Sequence, residues 1–354
     1  MNEITTVGVD LAKELIVVCA ADAHGRPIYF KQLSFSGFAE WAGNLPPCQF
    51  GLEACSSAHH WARFLSERGH APKLMAAELV APFRISRGAK NDRNDALAIL
   101  CAVRQPHMRF VSVKSAEQQA MLAWHRVRDG YREERKSLLN RTRGLLAEFG
   151  VWLGRSPGAL VRELADLAQD ERLPALFRPM LSQSLAHLRE LDARIAECDA
   201  RIETHTKQNE AAQRLRAIVG VGAITASALI ATVANVRDFR NGRQLSAWAG
   251  LVPRQHSSGG KTRLGSITKR GDTYLRGLLT QGARSTLQVA LKREPMRRSR
   301  LERWIVELHG RSGYHKTLVA IANKHLRTAW AILAHGEQYD PNAWRQHARS
   351  AAHA

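Results

Sequence analysis

Short apolar runs alternate with helix-periodic stretches over roughly the first third of the chain. Ile4–Asp10 is rich in β-branched residues and predicts a strand that ends on an acid, and Glu14–Ala20, with Leu15-Ile16-Val17-Val18, predicts a second. Asp22-Ala23-His24-Gly25-Arg26-Pro27 is turn chemistry, and Ile28–Phe35 predicts a third strand. Phe38–Leu45 reads as a short helix broken by Pro46-Pro47, and Gln49–Glu53 as a fourth strand. His59–Arg68 predicts a helix, Lys73–Ala76 a short strand and Asp92–Val103 a helix. Three strands, a helix, a strand and then alternating elements predict a mixed sheet flanked by helices, an α/β domain.

The pattern then changes. Ala116–Phe149 and Met180–Asn209 are long, charge-rich and helix-periodic, with Leu138, Leu139, Leu145 and Leu146 in the first. Leu185, Leu188, Leu191 and Ile195 recur at spacings of 3, 3 and 4 in the second. This pattern predicts an antiparallel, coiled-coil-like pair. Gly154, Pro157, Gly158 and Pro174 make the link between them a run of short helices and turns. Beyond Arg214, Ile218-Val219-Gly220-Val221-Gly222-Ala223-Ile224-Thr225-Ala226 has the form of a helix-hairpin-helix turn, although two glycines between apolar helices more often make a packing turn. Pro253–Ser266 reads as a Gly/Ser/basic loop, and Asp272–Gln288 and Thr317–Leu333 as amphipathic helices. Trp124, Trp152, Trp248 and Trp330 sit in apolar helical contexts and are expected to pack in cores. The expected organisation is 1–112 α/β, 113–213 helical spacer or dimerisation region, 214–336 mainly helical and basic, and 337–354 tail.

Charge narrows the function. The 354 residues hold 52 Lys+Arg against 32 Asp+Glu, a net of +20. The excess is local: residues 236–316 carry 18 basic and 5 acidic side chains. So dense a basic segment points to a nucleic-acid partner, held through phosphates and counterion release. The five cysteines are scattered and form no CxxC pair, which argues against a zinc site or a disulfide framework. No apolar run reaches the roughly 18 residues of a membrane span, and the start lacks a secretory pattern, so a reduced cytosolic protein is expected.

Four acids carry the candidate chemistry. Asp10 ends the first strand and Glu53 the fourth, while Asp92 and Asp95 share a face at the start of a helix. Any one of them alone reads as a cap or a solvated acid. If strands one and four are neighbours, all four reach one sheet edge, where their mutual repulsion would be resolved by hard divalent cations such as Mg²⁺. Two such ions suit phosphoryl transfer.

The order Asp10, Glu53, Asp92, Asp95 resembles the DEDD tetrad of RuvC-like nuclease domains of the RNase H superfamily. Gly250-Leu251-Val252-Pro253-Arg254-Gln255-His256-Ser257-Ser258-Gly259-Gly260-Lys261, followed by Gly265-Ser266-Ile267-Thr268-Lys269-Arg270-Gly271-Asp272-Thr273-Tyr274-Leu275-Arg276, is similar to the C-terminal domain of the DEDD insertion-sequence transposases, the bridge-RNA-guided recombinases. The Ser-Ser-Gly-Gly-Lys form resembles the subgroup with subterminal inverted repeats. The resemblance implies a DNA recombinase with Mg²⁺ (Mn²⁺ as a substitute) on the tetrad. It also implies a covalent 5′-phosphoserine, a noncoding RNA that pairs with donor and target DNA, and dimers joined as tetramers. By motif position the nucleophile is Ser258, with Ser257 as the neighbour to test. Lys261, Arg263, Lys269, Arg270 and Arg276 are expected to contact backbone phosphates. Arg87, Lys90 and Arg93 could touch the cut strand or offset the acids. The competing reading is a RuvC-like junction resolvase in which water attacks.

Overall fold

The computed structural model describes residues 3–84, 91–154, 157–257 and 259–342. Ser258, Arg87, Lys90 and residues 343–354 of the tail therefore lie outside the described residues. The chain divides into two compact units, residues 1–119 and 120–354.

In the first unit the apolar runs become strands β1 (Thr6–Leu11), β2 (Ile16–Ala21), β3 (Pro27–Leu33), β4 (Gln49–Glu53) and β5 (Ala71–Met75). Helices α1 (Phe35–Gly43), α2 (Ala58–Glu67) and α4 (Asp92–Val103) alternate with them as expected, and a four-residue helix, α3 (Ala77–Val80), was not anticipated. A two-residue strand, β6 (Phe110–Val111), closes the edge and was not anticipated, being too short to show periodicity. The strand order is β3-β2-β1-β4-β5-β6. β1 runs antiparallel to β2 and parallel to β4, and β4 runs parallel to β5. This mixed six-stranded sheet is the RNase H-like arrangement.

Period-2 alternation assigns the two faces. Val7, Val9, Phe50 and Leu52 point to one side, where they bury with Phe38 of α1 and Trp61 and Leu65 of α2. Gly8 and Gly51 point to the other side, beneath α4. A Cβ on Gly8 would lie 2.3 Å from the Ala96 carbonyl oxygen and 2.6 Å from the Leu100 nitrogen, and one on Gly51 would lie 2.8 Å from the Val103 Cβ. Both glycines are there so that α4 can lie directly on β1 and β4. Backbone atoms of α4 cannot step aside, so Gly8→Ala is expected to cost about 3 kcal/mol or more. Gly130, exposed on a helix with open space around it, provides the contrast. Gly130→Ala is expected to gain up to about 1 kcal/mol. Paired denaturant melts check both values, and a Gly8→Ala protein as stable as wild type would refute the packing argument.

The second unit contains α5 (Ala116–Glu148), α6 (Pro157–Leu167) and α7 (Arg178–Gln208). Leu138, Leu139 and Leu146 of α5 bury against Leu181, Leu185, Leu188 and Leu191 of α7. Arg135 pairs with Asp192 and Arg128 with Asp199, so the register runs antiparallel, as the periodicity predicts. Trp152 departs from the expectation of core packing. It is 82% exposed, because it follows the end of α5 where no helix covers it.

The remaining elements are α8 (Glu210–Arg216), α9 (Ala223–Thr232), α10 (Gly242–Trp248), α11 (Thr273–Lys292), α12 (Arg300–Ser312) and α13 (Tyr314–His335) around one core, with a hairpin of β7 (Pro253–Gln255) and β8 (Leu264–Ile267). The expected helix-hairpin-helix turn is a turn between α8 and α9. Gly220, at φ +88°, presses on α11, and Thr286 of α11 donates a hydrogen bond to the Val219 carbonyl at 2.8 Å. Its glycine is thus explained by helix packing. α12 was not anticipated, although a Ser299–Glu302 capping box starts it.

Candidate catalytic site

The RNase H-like sheet places the tetrad. β1 and β4 are parallel neighbours with Val9 opposite Leu52, so Asp10 and Glu53 emerge side by side one step further along. Asp10 lies on the same face as Gly8, and Glu53 on the same face as Gly51, the face beneath α4. Asn91 caps α4, its side chain accepting a hydrogen bond from the Asn94 N–H at 2.8 Å. The first turn of that helix holds Asp92, which is exposed, and Asp95, which is buried. Because Ala96 and Leu100 sit over Gly8, the helix N-terminus comes down at the C-terminal ends of β1 and β4. The partial positive charge of that terminus favours acids there.

The carboxylates feel one another. Burial pushes the Asp10 carboxyl up to about 6, and the negative charges of Asp95, Asp92 and Glu53 add to the effect. Arg84 opposes it. The Arg84 guanidinium bridges two members of the tetrad, with Nε 2.8 Å from Asp95 Oδ1 and Nη2 3.5 Å from Glu53 Oε1. Sequence reasoning missed Arg84, since one arginine in a basic chain gives no signal before the strand register is known.

Four hard oxygen donors at one sheet edge, one of them pushed up to about 6 by burial and by its neighbours' charges, have the donor chemistry of a Mg²⁺ or Mn²⁺ site. Among the described residues, no three such groups already converge on one point. Arg84 lies across two of the four carboxylates, Asp95 and Glu53. Arg93, the described member of the neighbouring cations singled out in the sequence, stacks over the Phe30 ring, its Cζ 4.1 Å from the centroid.

The second signature forms the β7–β8 hairpin rather than a loop. Its strands are exposed except at Ile267, which packs against the helical core, so no apolar alternation marked them in the sequence. His256 N–H donates to the Arg263 carbonyl at 2.8 Å, closing the strand ends. The Ser257 hydroxyl accepts from Gln255 Nε2 at 3.0 Å and from the Arg263 N–H at 3.4 Å. Gly259 and Gly260 adopt φ +55° and +76° with open space around them, a conformation that favours glycine. Lys261, Arg263, Lys269 and Arg270 are exposed around this hairpin. Arg276 is half-buried and donates to the Arg270 carbonyl at 2.9 Å and the Ala249 carbonyl at 3.3 Å, which ties the turn before α11. No described helix is long and apolar enough to cross a membrane.

Comparison with known proteins agrees with both halves. Residues 7–150 match a family model for the DEDD transposases of the IS110 type, and residues 212–298 match the model described as "Transposase IS116/IS110/IS902 family". A "Probable family 20 transposase" of Pseudomonas aeruginosa is 42% identical, over 96% of this chain and 99% of its own length. The transposase for insertion sequence element IS1328 of Yersinia enterocolitica is 36% identical over 95% and 98% of the two chains. The transposase for element IS1111A of Coxiella burnetii is 36% identical over 96% and 92%. A DEDD domain implies a divalent metal, and a transposase implies DNA as its partner. With tetrad, hairpin signature and full-length relatives in agreement, the chain belongs to the IS110 family of insertion-sequence transposases, enzymes of phosphoryl transfer on DNA.

Proposed function

We propose that this transposase is an RNA-guided recombinase of the subgroup with subterminal inverted repeats, which exchanges DNA strands through a phosphoserine. The observation that carries the reading is the pairing, in one chain, of the carboxylate edge with a Ser-Ser-Gly-Gly sequence between the strands of a basic hairpin. Asp10, Glu53, Asp92 and Asp95 would hold two Mg²⁺ ions. When bound, such ions supply Lewis-acid polarisation of a phosphoryl oxygen.

Ser258 Oγ releases its proton to solvent and attacks the scissile phosphorus, forming a Ser–O–P bond to the 5′ phosphate. The 3′ oxygen leaves with its bonding pair and takes up a proton, so a free 3′-OH remains. The phosphodiester energy is kept in the new bond, and a 3′-OH from the partner strand reverses the step and frees the serine. Lys261, Arg263, Lys269 and Arg270 contact backbone phosphates, and Arg276 holds the turn that presents them. Such contacts give register rather than sequence choice, which suits specificity carried by RNA base pairing. Functional divisions near residues 112, 213 and 336, and dimers joined as tetramers, complete the reading.

The test is covalent capture. Protein, the noncoding RNA of its element, Mg²⁺ and a suicide DNA substrate labelled on the 3′ side of the cut are expected to give a denaturation-resistant protein–DNA band. The band should vanish without RNA or with EDTA. Metal-dependent cleavage with no covalent band would instead mean that water attacks, as in a junction resolvase.

A further inference from the structure

Arg84 is the feature of the tetrad that no motif accounts for. Its backbone is anchored: it follows a 3-10 turn, Ala81–Phe83, and Phe83 packs against the cluster of Met75, Val80, Ala98 and Ile99 beneath α4. Its side chain is not enclosed, with 37% of it exposed. A rotamer change alone can therefore lift the guanidinium away from the acids without moving the backbone. In the described state it holds Asp95 at 2.8 Å and Glu53 at 3.5 Å.

Those are the lone pairs a divalent ion needs. Mg²⁺ takes oxygens at about 2.1 Å in near-octahedral geometry, so two carboxylate oxygens sharing one ion approach to about 3 Å. The Arg84 guanidinium, 2.8 Å from Asp95 Oδ1 and 3.5 Å from Glu53 Oε1, stands in that space as their counter-charge. Arg84 and an ion joining Glu53 to Asp95 are thus mutually exclusive.

We propose that Arg84 is a built-in counter-cation, which closes the metal-free tetrad by bridging Glu53 and Asp95 and is displaced when a divalent ion brings them together. The inference rests on the tetrad being a divalent-ion site. It makes Arg84 a positioning residue, which keeps four acids compatible with a folded edge while no metal is present and makes metal binding coincide with release of the arm.

The experiment measures Mn²⁺ binding to the full chain by calorimetry at neutral pH without nucleic acid, in wild type, Arg84→Met, Arg93→Met and Asp95→Asn. Arg84→Met is expected to bind Mn²⁺ about three- to tenfold more tightly than wild type, the scale of a half-exposed ion pair. Its metal-free melting temperature should fall, and Mn²⁺ should restore more of it than in wild type. Arg93→Met removes the same charge without contacting Glu53 or Asp95, and should change affinity by less than about twofold. Equal gains in the two variants would overturn the proposal in favour of general electrostatics. Unchanged or weaker binding in Arg84→Met, with binding still lost in Asp95→Asn, would overturn it while keeping the metal site. Undiminished binding in Asp95→Asn would overturn the metal site itself. Should Arg84→Met not fold, wild type decides: on Mg²⁺ titration the Arg84 Nε–H resonance, assigned from its loss in Arg84→Lys, should move to the position of a solvated guanidinium. A resonance that does not move would refute displacement.

Discussion

Asp10→Asn lowers DNA strand cleavage by at least about a thousandfold, the scale expected when a metal-dependent phosphoryl transfer loses a ligand that no neighbour replaces. The substitution keeps size and shape and removes only the charge, so the fold should survive. The same change should stabilise the metal-free protein at high pH. Asp10 is held up at about 6 by burial and by Asp95, Asp92 and Glu53, against an ordinary value of 3.8. A carboxyl raised in the folded state contributes its stability fully at pH below about 4 and loses it as pH rises through about 6. Wild type without metal therefore weakens as Asp10 ionises, whereas the neutral amide of the Asp10→Asn variant carries no such penalty. Melting temperatures in EDTA should be higher for Asp10→Asn than for wild type at pH 8, and should converge near pH 4. Single-turnover cleavage in Mg²⁺ reads the activity arm, and a variant within tenfold of wild type would remove Asp10 from the catalytic set. Loss of function with gain of stability is the mark of a residue kept for chemistry at the expense of the fold.

Why so much of this site could be read from the sequence is a matter of local pattern. Asp10 and Glu53 each end a run whose apolar character survives in any context. α4 spans Asp92–Val103 as its pattern predicts, because Asn91 is a cap of standard chemistry. That β1 and β4 are neighbours stood in the sequence only as a condition, and the structure meets it, with a physical reason in Gly8 and Gly51. Both glycines, on adjacent parallel strands, make room for the helix that carries the other two acids. Arg84 was invisible for the opposite reason. Its partners lie on a strand and on a helix, and neither is near it until the register is set. The β7–β8 hairpin was missed because a two-stranded, solvent-exposed ribbon has no buried face to impose a period on its residues. Trp152 was misjudged because apolar neighbours in the sequence do not ensure a neighbour in space once α5 has ended.

Ser258→Ala should abolish the covalent protein–DNA species, with a residual rate at least about a thousandfold below wild type. Ser257→Ala should retain that species. The two serines are adjacent, and composition cannot separate them. The Ser257 hydroxyl is committed to the hairpin, accepting hydrogen bonds from Gln255 Nε2 and the Arg263 N–H. A hydroxyl engaged in tying a turn has an orientation set by the turn, and losing it should loosen the tip and slow the reaction by about tenfold at most. Gly259 and Gly260 follow at positive φ, and a Cβ added on either would meet open space. Replacing Gly260, at φ +76°, with alanine should slow capture through strain in the turn and cost about 1 kcal/mol of stability. The measurement is the yield of covalent band against time for the four proteins under identical RNA and Mg²⁺. A band lost in Ser257→Ala and kept in Ser258→Ala would transfer the nucleophile to Ser257 and make its hairpin hydrogen bonds a resting state. A band kept in both would remove serine from the chemistry and leave the carboxylate edge to activate water.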